Sequence, residues 1–284
     1  MFTQLIHKYL RHDKKFPHVW CPGCGNGILL GALIRAIDKT GLEKDEIVIV
    51  SGIGCSGRIS VYVDFNTLHT THGRALTFAT GIKLANPRLN VIVIMGDGDA
   101  TAIGGNHFIH AARRNIDLTA IVVNNNIYGM TGGQYSPTTP YGAFAATALY
   151  GNVEHAFSIA ELAVTAGASM VSRGTVYNAS MLDDLISRAV LKRGFSVVEV
   201  VSHCHTQYGR RNLMESPVEM LRRQKEAAVP IEKAGGMSPE ELKGKFTIGI
   251  LTDRDLPVYT EEYEKVREAA RAMELKRGTA GVKI

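Results

Sequence analysis

Short apolar runs alternate along the chain with segments in which apolar residues recur every three or four positions. A nearly continuous apolar run bounded by polar residues, such as Val91–Met95, predicts a strand buried on both faces of a sheet. The spacing of Leu29, Ala32 and Leu33 instead predicts one buried helix face. The predicted strands are Ile47–Val50, Val91–Met95, Leu118–Val123 and Ser196–Val201, and the predicted helices are Asn26–Lys39, Gly73–Ala85, Ile103–Arg114, Ser158–Ala166 and Asn178–Leu191. This alternation predicts an α/β fold, with a parallel sheet covered by helices on both faces.

The pattern changes in the last quarter of the chain. Pro230–Gly249 contains few large apolar residues, and Glu261–Lys276 has the spacing of a charged amphipathic helix. We therefore expect a main domain over residues 1–225 and a C-terminal arm over residues 226–284. The arm is expected to pack on the main domain or on a partner.

Composition and charge narrow the class of protein. Of 284 residues, 45% are hydrophobic and 21% are charged, which is typical of a globular protein. A net charge of +5 without a basic, aromatic-interleaved stripe gives no support for nucleic-acid binding. The apolar runs are too short to span a bilayer, and the N-terminal segment lacks a signal-peptide pattern. We expect a cytoplasmic protein whose thiols stay reduced.

The chain contains four cysteines, which are Cys21, Cys24, Cys55 and Cys204. The first two form a Cys-Pro-Gly-Cys pair, and Cys55 lies in a glycine-rich turn. Four thiolates are enough for one tetrahedral zinc ion or one iron–sulfur cluster. The residues by themselves leave both possibilities open, together with unliganded core thiols.

A Gly-Asp-Gly-Asp turn follows the clearest predicted strand, and an Asn-rich segment follows the next one. Because parallel strands present their carboxyl ends at one sheet edge, Asp97 and Asn125 are expected to lie close together. Magnesium prefers oxygen ligands, which Asp97, Asn125 and the Ile127 carbonyl would supply beside a diphosphate. Gly98 would let backbone N–H groups approach the phosphates. The alternative interpretation is a surface turn followed by a turn-forming Asn run.

The Gly-Asp-Gly turn and the distant Asn pair resemble the thiamine diphosphate motif. Four further segments resemble the β subunit of the 2-oxoacid:ferredoxin oxidoreductases, namely Trp20–Gly27, Gly52–Arg58, Asn125–Gln134 and Ser136–Thr139. The resemblance covers roughly residues 10–225. His69–Arg74 and Gly104–Phe108 look most like the 2-oxoglutarate branch. The expected architecture is therefore the thiamine diphosphate-binding fold of the pyrimidine/pyrophosphate type.

The resemblance implies two cofactor sites in one domain. Cys21, Cys24, Cys55 and Cys204 match the ligands of one [4Fe–4S] cluster, and Asp97, Asn125 and Ile127 match the Mg²⁺ ligands. The positions that match thiamine diphosphate contacts are Ile53, Gly54, Cys55, Ser56, His72, Gly96, Gly98, Asp99, Gly129, Met130 and Thr131. Cys55 thus belongs to both sets.

Three further side chains are candidates for contact with the substrate. His72 is the candidate polar group near the reacting centre, and the alternative is a core histidine bonded to backbone. Arg58 and Arg74 are candidates for binding the distal carboxylate of the 2-oxoacid, and either arginine would equally pair with a neighbouring acid.

The family activity implied is CoA-dependent oxidative decarboxylation of 2-oxoglutarate to succinyl-CoA and CO₂, or the reverse, with electrons passed to ferredoxin. No residue here matches the glutamate that activates thiamine, and in the family the α subunit supplies it. We therefore expect an αβ or (αβ)₂ assembly with its active site at the interface. The alternatives are the same chemistry on pyruvate or another 2-oxoacid, a non-redox thiamine enzyme with structural zinc, and a non-catalytic electron-transfer module.

Overall fold

The computed structural model describes residues 2–13, 16–214 and 216–279. Its centre is one eight-stranded sheet. The strands are β1 (Ile47–Ser51), β2 (Asn66–His69), β3 (Asn90–Gly96), β4 (Thr119–Asn124), β5 (Met170–Thr175), β6 (Ser196–Val201), β7 (Ala228–Pro230) and β8 (Phe246–Asp253). Their order in the sheet is β2-β1-β3-β4-β6-β5-β8-β7. All pairings are parallel except β5 with β8, which is antiparallel. The predicted α/β fold class is confirmed.

Along the chain, helices precede the first strand, connect most of the strands and follow the last one. They are α1 (Phe2–Tyr9), α2 (Gly25–Thr40), α3 (Ile59–Tyr62), α4 (Ala75–Ala85), α5 (Gly105–Arg113), α6 (Ile159–Thr165), α7 (Ala179–Leu191), α8 (Pro217–Ala227), α9 (Ile231–Ala234), α10 (Pro239–Leu242) and α11 (Tyr259–Thr279). Among the described residues, none of these helices combines the length and apolar character needed to cross a membrane.

The side chains of β3 explain why both faces of the sheet are covered. Ile92 and Ile94 point to the layer formed by α2 and α7, whereas Val91, Val93 and Met95 point to the layer formed by α4 and α5. All five are buried. A strand that is apolar at every position buries both of its faces, as the sequence pattern predicts.

Each predicted helix or strand starts within two residues of its observed start. Helix α5 begins at Gly105 rather than at Ile103, because a π-helical turn over Asp99–Ile103 precedes it. Such turns are frequent at functional sites.

The sequence pattern did not predict β5 and β8, two strands of the sheet. Strand β5 contains Ser172, Arg173 and Gly174, so its apolar run is interrupted. It is nevertheless buried throughout, because Arg173 pairs with Glu199 of β6. In the C-terminal arm, β8 pairs with β5 and so extends the main sheet.

Candidate active site

The candidate site lies where the parallel strands end. A cavity of about 460 Å³ opens at the carboxyl ends of β3 and β4. The structure brings together around it all the positions predicted for thiamine diphosphate and Mg²⁺, which are Ile53, Gly54, Cys55, Ser56, His72, Gly96, Asp97, Gly98, Asp99, Asn125, Ile127, Gly129, Met130 and Thr131. Val123, Tyr128 and Gln134 complete the lining.

The carboxyl group of Asp97 is buried and held in place by hydroxyl groups. Ser136 Oγ donates to its Oδ2 at 2.7 Å, and Thr138 Oγ1 donates to the same oxygen. Burial raises the pKa of Asp97 to about 6, against the lowering effect of these donors. A buried carboxylate with few neighbouring charges is suited to a divalent cation, whose charge would offset the cost of burial.

Gly98 is required by the position of Tyr128. A Cβ atom on Gly98 would lie 2.2 Å from the Tyr128 ring, far inside van der Waals contact. The Tyr128 hydroxyl donates to the Gly98 carbonyl at 3.0 Å. Burial, followed by the nearby Asp97 and Asp99, raises the pKa of Tyr128 to about 12. The phenol is therefore a neutral donor at physiological pH, and it fixes the Gly-Asp-Gly turn.

The segment after β4 folds back on itself and points an amide into the cavity. Asn125 Oδ1 accepts from the Ile127 N–H at 3.2 Å, and Asn126 has a left-handed φ of 62°. Thr139 Oγ1 donates to the Asn126 carbonyl at 2.7 Å. Asn tolerates this backbone region better than most residues, which explains an Asn run at this turn.

Asp99 organises the opposite wall of the cavity. Its Oδ1 accepts from the Gly73 N–H at 2.6 Å and lies 2.6 Å from His72 Nδ1. A Cβ atom on Gly52 would lie 1.7 Å from Asp99 Oδ2, so only glycine fits there. Burial raises the pKa of Asp99, against the lowering effects of the Gly73 N–H and His72.

A second cavity, also about 460 Å³, is lined by all four cysteines. Trp20 Nε1 donates to the Cys55 carbonyl at 2.7 Å, and Asn26 Nδ2 donates to Cys24 Sγ at 3.4 Å. Burial, together with the other three thiols, raises the pKa of Cys55 to about 11. The thiols are thus close enough to oppose one another's ionisation, which a bound cation would reverse.

The four thiols are distributed around the wall of the second cavity. No group of three or more His, Cys, Asp or Glu side chains in the described part of the chain is arranged to hold a single metal ion. A zinc ion needs its four sulfur ligands at about 2.3 Å, so they would have to converge closely.

The two cavities share a wall. Cys55, Asn125, Gly129 and Met130 line both of them. A Cβ atom on Gly129 would lie 3.4 Å from Cys204 Sγ and 3.7 Å from Cys55 Sγ. A single turn of backbone therefore separates the thiols from the thiamine-type cavity.

The structure does not bring the two predicted substrate arginines to the cavity wall. Arg58 is exposed on the turn after Cys55, and Arg74 caps α4, where its guanidinium contacts His107 Nε2. Neither is among the residues that line the cavity in this chain.

Sequence reasoning gave no role to Ser136, Thr138 and Tyr128, which hold the Gly-Asp-Gly turn. The signal for Ser136 and Thr138 is the Ser-Pro-Thr-Thr segment, which the resemblance includes but which has no chemistry of its own. It follows Asp97 by about 40 positions, so only the fold brings the two together.

The family comparisons agree with this geometry. Residues 52–200 match the family model described as the C-terminal TPP-binding domain of thiamine pyrophosphate enzymes. The chain is 54% identical to the 2-oxoglutarate synthase subunit KorB of Methanothermobacter marburgensis over 250 residues, which are 88% of this chain and 87% of that protein. It is 53% identical to the KorB subunit of Archaeoglobus fulgidus over 268 residues, 94% of this chain and 96% of that one.

A solved structure has the same fold over nearly the whole chain. It is the 2-oxoglutarate:ferredoxin oxidoreductase from Magnetococcus marinus with 2-oxoglutarate, coenzyme A and succinyl-CoA bound. It superimposes with a TM-score of 0.83 and 32% identity, over 93% of this chain and 90% of that one.

The fold and the site therefore define a thiamine diphosphate-binding domain. Within that class, the chain belongs to the β-subunit family of the 2-oxoacid:ferredoxin oxidoreductases, together with the KorB subunits of 2-oxoglutarate synthase. The family resemblance read from the sequence motifs is confirmed.

Proposed function

We propose that this chain is the β subunit of a 2-oxoglutarate:ferredoxin oxidoreductase. The reaction is the CoA-dependent oxidative decarboxylation of 2-oxoglutarate to succinyl-CoA and CO₂, or its reverse. The observation that carries the proposal is the shared wall of Cys55 and Gly129 between the thiamine-type cavity and the thiol cavity. The substrate assignment rests on the KorB relatives, which are similar over nearly their whole length.

Thiamine diphosphate would be held by the Gly-Asp-Gly turn and the walls around it. Asp97, Asn125 and the Ile127 carbonyl would ligate Mg²⁺, and Gly98 would leave room for the diphosphate. When bound, the cofactor supplies a nucleophilic carbon and an electron sink for decarboxylation of a 2-oxoacid. The residues fit this group, because a buried carboxylate and an amide oxygen meet at the sheet edge.

The four cysteines would hold one [4Fe–4S] cluster, which supplies one-electron transfer. All four thiols line one cavity, and the match of their positions to the family's cluster ligands supports a cluster over a single zinc ion. Four free thiols need a reducing compartment, so a cytoplasmic location is part of the proposal.

We assign the polar position beside the reacting centre to His72, which lines the cavity and is oriented by Asp99. Arg58 and Arg74 stay candidates for the substrate's distal carboxylate. Since they lie outside the lining of the cavity in this chain, they would contact substrate only at its outer end.

An α subunit would complete the site and supply the activating glutamate. The acidic residues in the cavity lining are Asp97 and Asp99, both are buried, and each accepts at least one hydrogen bond within this chain. Next to the cavity, the loop after Gln134 leaves large apolar side chains exposed, namely Tyr141, Phe144, Leu149, Tyr150, Val153 and Phe157. Several large exposed apolar side chains in one loop are typical of a subunit interface. The assembly would be αβ or (αβ)₂.

The test is anaerobic co-expression with the α subunit, followed by assays with a panel of 2-oxoacids, CoA and a viologen dye. We expect the highest kcat/KM with 2-oxoglutarate, and about four iron and four sulfide per β chain. Faster turnover of pyruvate than of 2-oxoglutarate would instead make pyruvate the assigned substrate. One zinc per chain without sulfide would instead support a non-redox thiamine enzyme.

A further inference from the structure

We propose that the surface around Cys21 is the docking site for a small acidic one-electron carrier protein. We call it the Cys21 surface, and it consists of Phe16, Val19, Cys21, Arg210, Val218 and Arg222. The inference rests on the proposed function, because it names where electrons leave the thiol-bound metal group.

Among the four cysteines that would hold that group, Cys21 is the one exposed at the protein surface. It is exposed, whereas Cys24 and Cys55 are half-buried and Cys204 is buried. Thr206 Oγ1 lies 3.7 Å from Cys21 Sγ and 3.5 Å from Cys204 Sγ. Because electron transfer weakens steeply with distance, an external carrier is best placed over the exposed thiol.

Close contacts join the Cys-Pro-Gly-Cys loop to α8 and to the turn after Cys204. A Cβ atom on Gly23 would lie 2.7 Å from Pro217 Cγ, the first residue of α8. The same atom would lie 3.9 Å from the His205 ring, which in turn is close enough to Arg210 to feel its charge. Pro217 therefore lies against the loop, and Val218 and Arg222 are exposed on the first turns of the same helix.

The Cys21 surface combines exposed apolar side chains with cations. Phe16 and Val19 are 56% and 64% exposed, and Val218 is also exposed. Arg210 and Arg222 are exposed, and among the described residues neither forms an ion pair. On the same helix, Glu219 is already engaged by Arg223. The charged groups of the Cys21 surface itself are Arg210 and Arg222, with the exposed Glu226 one turn away from the latter on α8. The positive charge of the two arginines is complementary to an acidic protein.

The stoichiometry favours a weak, rapidly exchanging partner. Conversion of one 2-oxoacid and one CoA thiol to acyl-CoA and CO₂ releases two electrons and one proton. Each one-electron carrier accepts one electron, so two carriers must dock and leave in every turnover. Small apolar contacts rimmed by cations suit such encounters, since charge raises the association rate without slowing release.

The Cys21 surface adjoins the loop assigned above to the α subunit. The Phe144 N–H donates to Asn212 Oδ1 at 2.8 Å, and Asn212 lies two residues after Arg210. Ala143 and Ala145 of that loop pack with Met220 of α8. The carrier would therefore dock beside the second subunit, over the exposed thiol.

The experiment uses the αβ holoenzyme with a small acidic ferredoxin and, separately, methyl viologen. In Arg222→Glu we expect kcat/KM for ferredoxin to fall about tenfold at low ionic strength and its salt dependence to flatten. The viologen rate should stay within about twofold, because a small dye needs no docking surface. By biolayer interferometry, the Kd of ferredoxin for the holoenzyme should rise about tenfold. Arg88→Glu, at the amino end of β3, is the matched control and should change none of these values.

The results distinguish a failure of the proposed function from a failure of the docking site. A wild-type holoenzyme without viologen reduction would contradict the proposed function itself. Viologen activity with unchanged ferredoxin kinetics and binding in Arg222→Glu and Arg210→Glu would overturn the docking site alone. Loss of α-subunit co-purification in these variants would also overturn it, because the surface would then be a subunit interface.

Discussion

The Nδ1 atom of His72 lies 2.6 Å from Oδ1 of Asp99, at the wall of the thiamine-type cavity. The Asp99 carboxyl group is buried and also accepts from the Gly73 N–H. The His72 ring packs edge-on against Tyr128, with ring centroids 5.9 Å apart. The imidazole therefore lies between a buried carboxyl group and an aromatic ring.

His72→Ala tests whether this imidazole acts on the substrate. We expect kcat of the αβ holoenzyme with 2-oxoglutarate to fall by about 100-fold or more, the lower range for loss of a positioned proton-transfer group. Thiamine diphosphate affinity, measured by fluorescence quenching, should change by less than about tenfold. His110→Ala, on the exposed side of α5, is the control and should leave both values unchanged. Wild-type kcat in His72→Ala would assign the histidine a structural role only.

The buried carboxyl group of Asp97 predicts a pH-dependent affinity for the cofactor. Only the carboxylate ligates Mg²⁺, and the pKa of Asp97 is raised to about 6. The affinity for thiamine diphosphate and Mg²⁺ should therefore rise as pH increases from 5 to 7. Isothermal titration calorimetry at several pH values measures this. Asp97→Asn should bind weakly at every pH, whereas exposed Asp45→Asn should follow the wild type.

The same pKa shift has the opposite effect on the cofactor-free protein. The folded value of about 6 exceeds the usual 3.8, so between these pH values the folded state binds more protons than the unfolded state. The contribution of Asp97 to the free energy of unfolding is thus full below pH 3.8 and is lost as pH rises through 6. Urea unfolding of the cofactor-free chain measures it, and Asp97→Asn should remove this contribution. An identical pH slope in Asp97→Asn would contradict the assignment.

Gly98→Ala should strain the turn under the diphosphate. The added methyl group would lie 2.2 Å from the Tyr128 ring, and relieving such overpacking costs about 1–3 kcal/mol. We expect a lower free energy of unfolding and weaker thiamine diphosphate binding. Gly105→Ala is the matched control, because a Cβ atom there meets no neighbour and the residue begins α5. Its stability should stay equal or increase by up to about 1 kcal/mol.

The buried ion pair between β5 and β6 should be costly to break. Arg173 Nε lies 2.8 Å from Glu199 Oε2, and both side chains are buried. Arg173→Met leaves Glu199 without its partner, so urea unfolding should show a loss of about 3–5 kcal/mol. Arg223→Met breaks the exposed pair with Glu219 and should cost less than about 1 kcal/mol. Equal losses in the two variants would contradict this account.

The sequence identified the thiamine-type site because its key residues follow strands that are unmistakably apolar. Val91–Met95 and Leu118–Val123 place Asp97 and Asn125 at one sheet edge by the parallel topology alone. Strand β5 was not predicted, because Arg173 interrupts its pattern and becomes compatible with burial only through Glu199, which lies 26 positions away. The roles of Ser136 and Thr138 were not predicted either, because they depend on a contact with Asp97 about 40 positions away and hydroxyl residues have no hydrophobic periodicity.

By itself, the sequence determined the fold class and the family and predicted the two cofactor motifs, because these depend on local periodicity and on short segments. The tertiary structure alone placed Cys204 and Cys55 across Gly129, so that the thiol cavity and the thiamine-type cavity share one wall. It also placed both predicted arginines outside the cavity lining and exposed Cys21 beside α8. These relationships join residues up to about 180 positions apart, and only the packing of the folded chain sets such distances.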